Sequence, residues 1–90
     1  MSDTKILRKR LLFRSNHRGM KEIDLLLGRF ADLNIDILND EEIADLDELL
    51  NENDPDLYNW ITNKVLPPVR YQHQLMKKLQ LFKFNESQIF

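Results

Sequence analysis

Three observations predict an all-α fold, a small five-helix bundle. Every long segment of the 90-residue chain carries apolar residues at helical spacing. Two glycines and three prolines are too few for the turns of a hairpin-rich sheet. The prolines stand where apolar runs begin or stop. A chain of this length forms one domain, 1–90, and buries roughly 60% or a little more of its unfolded surface. It has little volume left for a deep substrate pocket.

Ile6, Leu7, Leu11, Leu12 and Phe13 mark a first helix over about 4–14, with Ser2, Asp3 or Thr4 to cap it. Met20, Ile23, Leu26, Leu27, Phe30 and Leu33 form the stripe of a second helix over about 17–33. Residues 34–38 alternate like a strand, but one strand without a partner is not stable. They are therefore expected as an extended loop. Asn39 with Glu42 three residues on reads as a capping box for a third helix, 40–52, faced by Ile43, Leu46, Leu49 and Leu50. Asp54-Pro55 reads as N-cap and first turn of a fourth helix, 55–64, with Leu57, Trp60 and Ile61 inward. Pro67-Pro68 stops it, and the second proline opens a fifth helix, 68–80, carrying Val69, His73, Leu75, Met76 and Leu79. Residues 83–90 read as a flexible tail. The expected core is Met20, Ile23, Leu27, Phe30, Leu46, Leu50, Leu57, Trp60 and Ile61.

The absence of cysteine excludes disulfides, thiolate metal sites and cysteine nucleophiles. No Gly-rich phosphate loop is present, and His17 and His73 lack metal-ligand spacing. No catalytic site, metal or cofactor is expected, and no apolar stretch reaches the ~20 residues of a membrane span. The net charge of −2 hides a segregation. Residues 1–21 hold seven Lys/Arg against Asp3, residues 22–57 hold thirteen Asp/Glu against Arg29, and residues 58–90 hold five Lys/Arg against Glu86. Such a pattern suits either a directional surface field or helices of opposite charge lying together. Lys5, Arg8, Lys9, Arg10 and Arg14 suggest nucleic-acid binding as one alternative. The acidic middle and a pI of about 5.6 oppose it.

The informative stretch is Arg14 to Asp24. If Ser15 or Asn16 caps the second helix, its first turns hold His17, Arg18 and Lys21, cations that oppose the helix dipole. Gly19 there costs up to ~1 kcal/mol relative to Ala. Arg18 and Glu22 share a face in the less favourable order. Local rules broken together mark a functional or strained place. Two readings stand: a docking surface, or a glycine that permits close helix packing beside a surface Arg18–Glu22 pair.

Arg18-Gly19-x-x-Glu22 behind a basic helix resembles the RGxxE signature of the succinate dehydrogenase FAD-assembly factors, the SdhE family. The likeness extends to Arg14 and Asp24 around that core, to Leu26-Leu27-Gly28-Arg29-Phe30, to the acidic stretch Glu41 to Leu50, and to Asp54-Pro55-Asp56-Leu57-Tyr58-Asn59-Trp60-Ile61. It covers about residues 4–80. The Pro67-Pro68 pair departs from a Gly-led turn common in the family. The resemblance implies a five-helix bundle and a non-catalytic factor that binds the flavoprotein subunit of succinate dehydrogenase, with fumarate reductase as a further client. Such a factor promotes covalent attachment of FAD without a cofactor of its own. It implies Arg14, His17, Arg18, Gly19, Lys21, Glu22 and Asp24 as the partner-binding face. The short segment before the first helix looks like the bacterial form, so a cytoplasmic monomer without nucleic acid or membrane insertion is expected. A regulatory, antitoxin-like interaction module is the other alternative.

Overall fold

In the computed structural model, which describes residues 2–89 and the side chains of 4–85, the chain forms α1 (Ser2–Ser15), α2 (Lys21–Asn34), α3 (Asp40–Leu49), α4 (Asp54–Ile61), a 3₁₀ turn (Val69–Tyr71) and α5 (Gln74–Ile89). No strand occurs among the described residues. The elements close around one core in which Leu11, Ile23, Leu46, Leu49, Leu57, Ile61, Leu75 and Leu79 are fully buried. Of the nine expected core residues, Met20 is only partly buried, at the core's edge. Of the caps expected for α1, Ser2 and Asp3 have side chains outside the described residues.

Several boundaries differ from the spacing-based expectation, each for a local reason. Helix α2 begins at Lys21, not at 17. Ser15 is fully buried as the last residue of α1, and the Asn16 carboxamide donates back to the Leu12 carbonyl at 2.9 Å and to Asp32 at 3.2 Å, so neither caps α2. Residues 34–38 are not extended. Ile35 is helical, the Asn34 carbonyl accepts from the Ile37 and Leu38 amides, and Ile35 and Leu38 turn into the core three residues apart. The Asn39–Glu42 capping box is formed in both directions, at 2.8 and 3.0 Å. Glu42 is itself buried and meets Lys78 of α5, which ties α3 to the last helix. Helix α4 is capped by Asn53, not Asp54, because the Asp54 carboxylate is engaged across the bundle. It ends at Ile61, where Asn63 turns at a φ of 64° and the Asn59 carbonyl accepts from the Lys64 and Val65 amides. Pro68 opens only the 3₁₀ turn, after which His73 Nδ1 accepts from the Met76 amide at the start of α5. The tail expected over 83–90 is helical to Ile89, with Phe82 edge-on to Phe30 at 5.5 Å; Phe90 lies outside the described residues.

Part of the charge segregation is satisfied inside the molecule. Arg8 reaches the Ile35 carbonyl and Asp40, Arg14 reaches Asp47 at 2.7 Å, and Arg18 reaches Asp54 at 2.8 Å. The three aspartates are seven residues apart, so the basic strip of α1 and its loop runs along one side of α3 and into α4.

The last of these pairs is the most enclosed, with the two side chains 14% and 13% exposed. Arg18 Nε meets Asp54, one terminal nitrogen donates to the Leu50 carbonyl and the other to the Glu52 carbonyl, each at 2.8 Å. The second Asp54 oxygen accepts from the Met20 amide at 2.9 Å, and Asp24 accepts from the Arg18 amide at 2.8 Å. The Met20 amide at the N-cap of α2 is thus satisfied from a distance, and no side chain caps the helix locally. Burial tends to raise the Asp54 carboxyl, but the Met20 amide, Arg18 and the Gly19 amide outweigh it and hold it below the usual value. Glu42 is likewise held low, chiefly by its hydrogen bond to Lys78 and against its burial.

Three outcomes follow for stability. Trp60→Ala removes a side chain that packs 5.4 Å from the Tyr71 ring and should cost about 3–5 kcal/mol in urea unfolding. Arg18→Ala leaves Asp54 buried without its partner and should cost about 3 kcal/mol at neutral pH. Because the Asp54 and Glu42 carboxyls are depressed in the folded state, their contribution is complete above the unfolded carboxyl range and is lost as pH falls through their folded values. Combining Asp54→Asn with Glu42→Gln should therefore lower stability at pH 7 and flatten its further loss below about pH 4, read from urea midpoints across pH.

Candidate partner-docking site

The seven residues singled out around the Arg-Gly pair do not form one outward face. The structure sorts them into an inner set that shapes the α1–α2 loop and an outer set that the loop displays.

Arg14, Arg18 and Asp24 belong to the inner set. The Arg14 guanidinium lies against Asp47 and also donates to the Asn51 side chain at 3.0 Å. Arg18 has its guanidinium turned under the loop onto Leu50, Glu52 and Asp54. It pairs with Asp54 and not with Glu22, because the loop carries it away from α2. Asp24, in the first turn of α2, holds the Arg18 amide.

His17, Gly19, Lys21 and Glu22 form the outer, exposed set. His17 stacks on the exposed Phe13 ring, with centroids 3.8 Å apart. Its Nδ1–H donates to the Phe13 carbonyl at 2.7 Å, which also accepts from the Asn16 amide at 3.1 Å. Gly19 lies in the loop, not inside a helix, so the helix penalty expected for it does not arise. Its φ is not positive, and a Cβ there would meet only Asp54 Oδ2 at 3.6 Å, an ordinary contact. Neither backbone strain nor internal packing requires a glycine at 19. The tighter glycine is the buried Gly28, where a Cβ would lie 2.5 Å from the Asn16 side chain at the α1–α2 crossing and that side chain would have to move. Lys21 and Glu22 stand on the open side of α2, with no ion-pair partner among the described residues.

The arrangement has little capacity for chemistry of its own. It offers a bare backbone step at Gly19, rimmed by an imidazole, an ammonium and a carboxylate, on a loop whose underside is clamped. That geometry suits close approach of another protein's surface, with charge-assisted hydrogen bonds at the rim. Phe13, missed from the sequence because it fell within an apolar stretch, joins this rim through His17. Its i−4 spacing from His17 is the signal that marks it.

Comparison with known proteins gives a consistent picture. A family model described as the flavinator of succinate dehydrogenase matches residues 9–83. The chain is 44% identical over 80 residues to the mitochondrial succinate dehydrogenase assembly factor 2 of Dictyostelium discoideum, covering 89% of this chain and 57% of that protein. It is 40% identical over 84 residues to the protein of the same name from Saccharomyces cerevisiae, covering 89% of this chain and 52% of that one. It is 35% identical over 72 residues to the FAD assembly factor SdhE of Acetobacter pasteurianus, covering 80% of this chain and 66% of that one. The chain thus spans between about half and two thirds of these relatives' own lengths. With the family model matched from α1 to α5, through the Arg18–Asp54 clamp and the loop it shapes, this chain belongs to the flavinator of succinate dehydrogenase family.

Proposed function

We propose that this chain is an assembly factor that binds the flavoprotein subunit of succinate dehydrogenase and promotes covalent attachment of FAD to it. The observation that carries the reading is Gly19, exposed and conformationally unremarkable at the tip of a clamped loop, in a family defined by flavinylation of that enzyme. A residue that neither the backbone nor the core requires to be glycine is explained by a partner backbone approaching within van der Waals distance.

In this reading the factor performs no bond chemistry and carries no cofactor. It binds one conformation of the flavoprotein better than others and shifts the population toward the state in which FAD and its attachment residue meet. His17, Lys21 and Glu22 make the polar contacts around Gly19. Arg14, Arg18 and Asp24 act one layer behind, by holding the loop. The factor works as a monomer, with the flavoprotein of fumarate reductase as a further client and without nucleic acid. Among the described residues no helix is long and apolar enough to cross a membrane. A cytoplasmic location belongs to this proposal for a bacterial form; relatives named as mitochondrial mark the corresponding place for a eukaryotic one.

The test is in-gel flavin fluorescence of the flavoprotein subunit, with FAD, in the presence and absence of the factor. Gly19→Arg should abolish the stimulation of covalent flavinylation while leaving the melting temperature near that of the wild type, since position 19 faces solvent. Glu22→Ala should weaken docking by about 1.5–3 kcal/mol, roughly ten- to a hundredfold, again without loss of stability. Arg18→Ala should lower melting and flavinylation together. Normal covalent FAD with Gly19→Arg would remove this glycine from the docking site.

A further inference from the structure

The segment joining α4 to the 3₁₀ turn displays apolar side chains to water. Leu66 is 78% exposed, Val69 84% and Val65 49%. Val69 was expected on the buried face of the last helix, yet it points outward. The display is held in place. Asn63 adopts a positive φ, the Asn59 carbonyl takes the Lys64 and Val65 amides, and the Gln72 side chain donates to the Pro67 carbonyl at 2.8 Å. Pro67 is buried beneath it. Two cations border it: Lys64, over the Tyr58 ring at 5.0 Å, and Arg70, against the Tyr71 ring at 4.9 Å.

This display is connected to the loop that carries Gly19. The Glu52 carbonyl holds Arg18, while the Glu52 carboxylate accepts from Tyr71 Oη at 2.6 Å and from Arg70 at 3.3 Å. The α1–α2 loop, residues 50–54 and the 3₁₀ turn are therefore one hydrogen-bonded unit. A stable complex buries about 800 Å² and 20–30 residues on each partner. That is roughly a seventh of the chain's 5858 Å² and far more than a short loop presents. The docking face must recruit neighbouring surface, and the neighbour bonded to it through Glu52 is apolar at its centre and cationic at its rim.

We propose that Val65, Leu66 and Val69, flanked by Lys64 and Arg70, are a second docking element for the same flavoprotein partner, which meets them with an apolar patch bordered by carboxylates. This rests on the proposed function. The fixed conformation lowers the ordering cost of binding, so the element supplies affinity, while the Gly19 loop supplies the geometry that makes the partner competent.

The test compares wild-type protein with a Leu66→Ser/Val69→Ser variant for melting temperature, for Kd toward the purified FAD-free flavoprotein subunit, and for covalent FAD formed at limiting and at excess factor. The expected result is unchanged melting, at least a tenfold rise in Kd, and flavinylation that is reduced at limiting factor and restored at excess. Leu66→Gln alone serves if the double variant melts early, and should raise Kd in the same direction. An unchanged Kd in a folded variant, with wild type binding normally, would overturn the inference and leave the functional reading intact. So would self-association of the wild type that the double substitution abolishes without changing flavoprotein binding, which would assign the segment to a second copy. Failure of the wild type to bind the flavoprotein at all would overturn both.

Discussion

Beneath the α1–α2 loop, one guanidinium meets the Asp54 carboxylate and the carbonyls of Leu50 and Glu52, all at 2.8 Å. These contacts lie at the junction of the first helical pair with the second. Charge-assisted bonds in a partly dehydrated site are strong when every member is satisfied and damaging when one is missing. Here the satisfaction is mutual. Asp54 uses its other oxygen on the Met20 amide, and the Arg18 amide is taken by Asp24. The start of α2, the end of α3 and the start of α4 are fixed by a single side-chain pair. The loop conformation that exposes Gly19 depends on it.

The same arrangement divides labour within a five-residue signature. Its arginine faces inward and its glycine outward, although they are adjacent. The glutamate, on the open side of α2, is exposed and has no ion-pair partner among the described residues. An arginine buried against carbonyl oxygens cannot be replaced by lysine without losing the planar fork that reaches three acceptors at once. A loop held by such a clamp has its conformation set from within the chain, the condition under which any binding would cost little ordering free energy. The basic character of α1 has a related origin. Arg8, Arg14 and Arg18 are taken up by a strip of aspartates. That pairing reduces the field available for phosphate, while Lys5, Lys9 and Arg10 stay at the surface.

Glu52 extends the clamp to a third element. Its carbonyl serves Arg18 and its carboxylate serves Tyr71 and Arg70, so the polypeptide after the proline pair is tied to the same end of the bundle. The proline pair and the turn at Asn63 have a clear physical consequence. They prevent α4 from running directly into α5, and the residues between are presented to solvent instead of being absorbed into a helix.

The sequence by itself determined the helical class, the five helices, the Asn39 cap and much of the core (though not Ile35, Leu38 or Tyr71), because these follow from periodicity and from interactions within three or four residues. It also marked the Arg14–Asp24 stretch as unusual, since cations and a glycine near a helix start violate local preference. Only the tertiary structure decided which of those residues face solvent and which turn inward. Arg18 finds its acceptors 32 to 36 residues away, a separation that no local rule reports. That distant bond also moved the start of α2 from 17 to 21 and gave the cap of α4 to Asn53. The sequence offered close packing and docking as two explanations for a glycine. The fold placed Gly28 in the α1–α2 crossing, where a Cβ would displace the Asn16 side chain, and left Gly19 open to solvent.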